Sequence, residues 1–340
     1  MSSAKTPSKI PWSGLAIAAL SVGLLWWFVK DLKVAELRLA LANANLWLLV
    51  LAVGTTLQSY LIRAWRWQVM LAPIGTVRFG PAFRTTVIGF TATFLLPARI
   101  GEVLRPYLLA KKEGLSVSAT FATIIVERAF DLTAVLLLFA CSMPFLGVDV
   151  GSETRWAGGL AAVAAMGGLG VLFACAGHPE RLGLIVDRLT GWLPRRIAEI
   201  LGEFARKFAE GLGVMRDPVA LIKTMAWSLL LWISICLGIW LVTLAFGLTM
   251  PFAGAFLVVM YLVVGVAVPT PGGAGGFHVA YQFAVMTYFG AGADAAAVAA
   301  VVLHLVSFVP VAILGLVFMW QDGLTLGSLK RMNTKEAEPS

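Results

Sequence analysis

Three charged residues stand inside one apolar run, Ile124-Ile-Val-Glu127-Arg128-Ala-Phe-Asp131-Leu132. Charge within an apolar span is costly and marks a candidate site by default. Glu127 and Asp131 are four residues apart and share a helix face, with Arg128 about 100° round from Glu127. Two readings are open. The three charges form an internal salt bridge that locks a helix bundle. Alternatively, they face a polar cavity, where they couple to protons or hold neighbouring charges.

A second constellation lies upstream, in Leu96-Pro97-Ala-Arg99-Ile-Gly101-Glu102-Val-Leu-Arg105-Pro106. Pro97 and Gly101 break a helix and free backbone groups that lipid cannot satisfy. Such a break is tolerated where it is buried in protein or lines a wet cavity. Arg99, Glu102 and Arg105 recur every three residues, so a restarted helix presents them on one face. Glu102 and Arg105 are expected to pair, leaving Arg99 to meet an anion. A guanidinium beside a helix N-terminus suits a phosphate, through both its fork geometry and the helix dipole. The plainer reading is that these arginines mark a membrane interface.

The stretch Val268-Pro-Thr-Pro271-Gly272-Gly273-Ala-Gly275-Gly276-Phe-His278 is also broken but carries no acid, Lys or Arg. Its four glycines allow close backbone approach and offer N–H groups to a ligand or a facing segment. No Lys follows them, and no strand precedes them, so this is not a nucleotide-binding loop. His278 and His304 are read either as a proton relay or as packed core side chains. Arg63-Ala-Trp65-Arg66-Trp67 combines Arg and Trp as interfacial anchors do, and Arg63 and Arg66 are also candidate headgroup contacts. No Ser/His/Asp set, catalytic carboxylate pair or metal-ligand spacing is evident, so neither an enzyme nor a cofactor or metal is expected. Cys141, Cys175 and Cys236 sit singly in apolar stretches and read as small embedded side chains.

The elements that position these residues follow from composition. Of 340 residues 59% are hydrophobic and 13% charged, half the charge a soluble domain carries. Lipid must therefore be the solvent for much of the surface. The net charge of +8 lies mostly between apolar stretches, where it signals topology rather than nucleic-acid binding. The pattern predicts an all-α polytopic membrane protein with full spans near 11–29, 45–62, 117–140, 157–176, 224–246 and 294–320. Two interrupted stretches, near 81–110 and 252–290, are read as re-entrant hairpins or pairs of spans. Lys5 and Lys9 precede the first run, which lacks an A-x-A-like cleavage site and reads as an uncleaved span.

With Lys5 and Lys9 inside, Arg78, Arg84, Lys111, Lys112, the basic segment 181–223 and Lys330 all fall on the cytoplasmic side, as do both termini. Pro97-x-x-x-Gly101 and Pro271-x-x-x-Gly275 repeat one pattern, with Glu127 and His304 at similar depth in the spans that follow. The expectation is an inverted repeat within one membrane domain of residues 1–320, with halves near 11–140 and 157–320 joined across 141–156. Transporter sites lie near the midplane at such broken helices. Within the second half, 177–223 shows apolar residues at three- and four-residue steps and reads as amphipathic helices at the interface, tethering the halves. Residues 321–340 are polar and read as a disordered tail.

Gly89–Leu132, GFTATFLLPARIGEVLRPYLLAKKEGLSVSATFATIIVERAFDL, resembles the signature of the lysylphosphatidylglycerol synthase transmembrane-region family, the flippase-like domain proteins. Val268–Gln282 is similar to that family's later Pro-Gly motif, and Arg63–Trp67 to its early Arg/Trp element. Where the family often has Glu after the second motif, this chain has His278. The resemblance implies a bacterial inner-membrane protein that moves a phospholipid or glycolipid with an anionic headgroup between leaflets. Ending at Ser340, the chain is expected to be a stand-alone member without the synthase domain. Together with the residue reading above, the resemblance makes Arg63, Arg66, Arg99, Glu102, Arg105, Gly272, Gly273, Gly275 and Gly276 the candidate substrate contacts. The candidate gating or coupling residues are Pro97, Gly101, Glu127, Arg128, Asp131, Pro271, His278 and His304. Beyond the lipid, a lipid-synthesising enzyme and a second copy of the chain are the partners to consider. The alternative is a non-transporting scaffold that delivers lipid to such an enzyme.

Overall fold

The computed structural model describes residues 42–96, 99–176, 178–190, 195–267, 273 and 275–323. Among these there are eleven α-helices and no strand. They are α1 Leu46–Leu71, α2 Phe79–Leu95, α3 Gly101–Glu113, α4 Val117–Ser142, α5 Gly151–Ala176, α6 Pro179–Leu189, α7 Arg195–Gly211, α8 Pro218–Ala245, α9 Phe252–Ala267, α10 Gly276–Phe289 and α11 Ala293–Gln321. Four of them, α1, α5, α8 and α11, are long and apolar enough to cross a bilayer. α4 is as long as α1, with 26 residues, but carries the Glu127, Arg128 and Asp131 charges. The chain is an all-α polytopic membrane protein. The expected span near 11–29 and most of the tail lie outside the described residues.

The helix starts follow local chemistry. Asn45 caps α1 through its Oδ1, which accepts from the Trp47 and Leu48 N–H groups. Ser116 caps α4, and Asp217 with Pro218 starts α8. Left-handed Gly114 and Gly290 end α3 and α10. α5 shows what lipid solvation means at the sequence level. Trp156, Leu160, Val163 and Val171 on it are all exposed, so apolar side chains face outward.

α1 and α8 pack antiparallel at the centre. Asn45 N–H donates to Ala245 O at one end, Ser234 Oγ to Thr55 O further along, and Arg66 Nη1 to Ser228 Oγ beyond. Gly238 lets them close, because a Cβ there would lie 2.7 Å from Thr55 Oγ1.

The two interrupted stretches each fold as a pair of short helices, α2 with α3 and α9 with α10. Both pairs cross on two facing glycines. A Cβ on Gly101 would fall 1.9 Å from Gly89 O, and one on Gly276 would fall 2.2 Å from Gly265 O. No residue with a side chain fits at either crossing.

Packing relates two four-helix sets, α1–α4 and α8–α11. Exchanging α1 with α8, α2 with α9, α3 with α10 and α4 with α11 maps each interhelix packing onto another. Thus α2 against α11 corresponds to α9 against α4, and α1 against α11 to α8 against α4. Between the sets, α6 and α7 pair with each other, and α7 docks on α4. A Cβ on Gly211 would lie 2.1 Å from Ala119 O, and Leu212, Val214 and Met215 enter a core with Trp67, Leu71 and Ala122. The C-terminal end of this segment therefore packs into the bundle, while Leu184, Ile185 and Leu189 on α6 and Ile200 and Phe204 on α7 are exposed.

Candidate functional site

α4 carries Glu127 to a point about 15 Å along the helix from its start, where the carboxylate is fully buried. Four guanidinium groups surround it. Arg105 Nη1 donates to Oε1 and Oε2 at 3.1 and 3.0 Å, and Arg128 Nη2 to Oε1 at 2.9 Å. Arg66 Nη2 lies 3.1 Å and Arg63 Nη1 3.9 Å from Oε1. One turn on, Asp131 Oδ1 accepts from Arg66 Nη1 at 2.5 Å and from Trp232 Nε1 at 3.0 Å. Arg128 Nη2 is 3.6 Å from the other Asp131 oxygen. Such charges persist away from water only when they are paired and hydrogen-bonded.

Aromatic faces complete the shell. The Arg105 guanidinium lies 3.9 Å from the Trp67 ring centroid, and Arg63 lies 4.7 Å from that of Phe90. Each is close enough for cation–π attraction. Trp67 is itself fixed by its Nε1–H donating to Thr123 Oγ1 at 2.9 Å.

The expected Glu102–Arg105 pair is not formed. Arg105 is buried and turns to Glu127, twenty-two residues on, while the half-exposed Glu102 lies 3.6 Å from Arg99. Arg99 adopts a left-handed backbone, φ 52°, and its Nη2 donates to Val266 O in the last turn of α9. That bond joins the break of the first helix pair to the second pair.

A cavity of about 480 Å3 opens beside this cluster. Arg63, Arg99, Glu102, Arg128 and Asp131 line it, together with Thr55, Ser59, Tyr60 and Thr93. Much of the remaining wall is apolar, from Leu132 and Val135 on α4, Ile235 on α8, Leu262 on α9 and Val306 on α11. Arg66 and Arg105 do not line it; they hold the carboxylates from behind. Gly273, φ +69°, lines it from the second glycine-rich stretch. Gly275 precedes α10, and Gly276 makes the helix crossing described above. Pro97, Pro271 and Gly272 lie outside the described residues.

The two histidines come together. Their ring centroids are 4.8 Å apart, with Phe277 and Phe308 against them, and Gly275 N–H donates to His278 Nδ1 at 3.3 Å. His278 thus closes the start of α10. Sequence reasoning missed Trp232 and Ser228, which complete the Asp131 and Arg66 shells. Their four-residue spacing puts both on one face of α8, a signal available in the sequence. Among the described residues no group of three or more His, Cys, Asp or Glu is placed to hold a metal ion.

The family model for the lysylphosphatidylglycerol synthase TM region matches residues 12–315. The chain belongs to this family. The match takes in both helix pairs and every charged residue of the cavity. Among similar proteins is a UPF0104 membrane protein of Methanothermobacter thermautotrophicus, 25% identical over 253 residues, covering 68% of this chain and 72% of that protein. Another, the UPF0104 membrane protein of Methanocaldococcus jannaschii, is 42% identical over 60 residues. That match spans 17% of this chain and 26% of the relative's own length. Membership makes the chain a multi-pass membrane protein on grounds independent of its composition.

Proposed function

We propose that this family member moves a lipid with an anionic headgroup between leaflets, through the seam where the two broken helix pairs meet. The observation that carries this reading is the cavity, lined by Arg63, Arg99 and Arg128 and over much of the remainder by apolar side chains. A headgroup has its charge met by guanidinium groups there while its chains stay among apolar residues. Positioned arginines suit phosphate because their donors form a rigid fork.

We read the two four-helix sets as an inverted repeat and the short pairs as re-entrant. α2, α3, α9 and α10 have 17, 13, 16 and 14 residues, fewer than the roughly 20 that a full span needs. The antiparallel α1 and α8 bring the pairs in from opposite ends. One end gathers Arg84, Lys112 and Asp322, with Arg84 Nη2 and Lys112 Nζ 2.7 and 3.7 Å from Asp322. By the positive-inside rule we read that end as cytoplasmic, and we assign the chain to the inner membrane of a bacterium only on what the family resemblance implies. No catalytic role is proposed.

Purified protein in vesicles carrying a headgroup-labelled anionic lipid tests the reading. Translocation should exceed that of empty vesicles and drop about tenfold or more in Arg128→Gln. If folded, purified chain moves no lipid, the transport reading fails. A scaffold for a separate lipid-modifying enzyme is then the reading to pursue.

A further inference from the structure

The charges around the cavity do not cancel. Arg63, Arg66, Arg99, Arg105 and Arg128 face Glu102, Glu127 and Asp131, so five cations meet three carboxylates and two positive charges are left over. Arginine does not lose its proton in proteins, and protonating a carboxylate would only enlarge the excess. The excess sits beside an apolar-walled cavity, where charge is poorly screened.

The unmatched charge has an address. Arg66, Arg105 and Arg128 each make a charged contact of 3.1 Å or less, and Arg99 donates to Val266 O. Arg63 is nine-tenths buried, and its nearest carboxylate oxygen, on Glu127, is 3.9 Å away; its Nε and Nη1 have no hydrogen-bond partner, as is true also of Nε and Nη2 on Arg66 and Arg105. It lines the cavity. Arg128 lines it too, with nearly half of its side chain exposed. Three guanidinium groups, those of Arg63, Arg99 and Arg128, therefore line one space, and Arg63 has the longest contact to a carboxylate among them.

We infer that the headgroup taken here carries two negative charges, as a phosphomonoester or diphosphate does, in preference to the single charge of a phosphodiester. The inference rests on the lipid reading above and narrows it. One negative charge would leave a guanidinium unneutralised in the apolar cavity, whereas two match the excess. The acceptor oxygens of a dianion can also reach Arg63 and Arg128 together.

The test measures binding of three probes to the full chain in phosphatidylcholine nanodiscs: phosphatidic acid, phosphatidylglycerol and inorganic phosphate. At about pH 7.5, phosphatidic acid should bind at least about tenfold more tightly than phosphatidylglycerol. A phosphomonoester's second ionisation lies near pH 6, so the preference should shrink on going to about pH 5. Phosphatidylglycerol does not titrate in this range, so it reports any titration of the protein's own groups, Tyr60, the carboxylates and the histidines included. Arg63→Gln should abolish the preference; because that variant could misfold, the pH series on the unaltered chain stands without it.

Equal binding of the two lipids at about pH 7.5 overturns the inference. So does inorganic phosphate competing as well as phosphatidic acid, which would make the ligand a soluble dianion. Vesicle transport separates this from the broader reading. Transport without the preference sinks the dianion alone, while the preference without transport sinks transport alone.

Discussion

Arg99, at the break between α2 and α3, donates a hydrogen bond to the carbonyl of Val266, in the last turn of α9. The carbonyls of a helix's last turn lack intrahelical donors, so this guanidinium acts as a cap supplied from the facing pair. Its backbone is left-handed, a conformation that costs a non-glycine residue about 1–3 kcal/mol at such sites. Strain at one residue and a bond across the seam together suggest a latch.

Replacing Arg99 separates these two effects. Arg99→Gln keeps the strain and shortens the donor, whereas Arg99→Gly removes both strain and donor. Lipid transport should fall in each. The glycine variant should melt at the same or a higher temperature than the glutamine variant in detergent. A glycine variant that transports normally would exclude the latch.

Glu127 is expected to be the least replaceable carboxylate. Glu127→Gln leaves four arginines around a neutral amide and should destabilise the protein by about 3–5 kcal/mol, the usual cost of breaking a buried ion pair. Unfolding in mild detergent would show it as a large loss of thermal stability. Adding Arg105→Met should recover part of that loss, and the double-mutant cycle measures the coupling.

The helix crossings make a steric prediction. Gly101→Ala and Gly276→Ala place a methyl within 1.9 and 2.2 Å of a backbone carbonyl, so the helix pair must open. Each should cost about 1–3 kcal/mol or more. Gly80→Ala is the control, since it is helical and has nothing within 4 Å of a new Cβ. It should be neutral or stabilising by up to about 1 kcal/mol. Melting temperatures of the three variants decide the matter.

A last prediction concerns the segment between the two sets. Gly211→Ala drives a methyl to 2.1 Å from Ala119 O and should lift α7 from α4. Limited proteolysis of the 179–216 region should then be faster than in the unaltered chain. An unchanged cleavage rate would mean that α7 docks more loosely than its packing implies.

Much of the fold is legible in the sequence. Low charge and long apolar runs required a lipid solvent, because so few polar side chains cannot cover a protein of this size in water. Closely spaced proline and glycine marked both helix breaks, whereas single ones such as Pro106 and Pro310 lie inside helices. Spacing put Glu127 and Asp131 on one helix face. Each of these follows from chemistry local to a few turns.

Pairing was not local, and only the tertiary structure decided it. Glu102 lies three residues from both Arg99 and Arg105, so spacing alone offers it either partner. Packing turned Arg105 to Glu127 and brought Arg66 across sixty-five residues to Asp131. The physical reason is burial. A guanidinium carried into the bundle must find a carboxylate there, and helix packing rather than sequence distance sets which one it meets. The same packing left Arg63 3.9 Å from its nearest carboxylate and lining the cavity, a placement that spacing along the chain does not reveal.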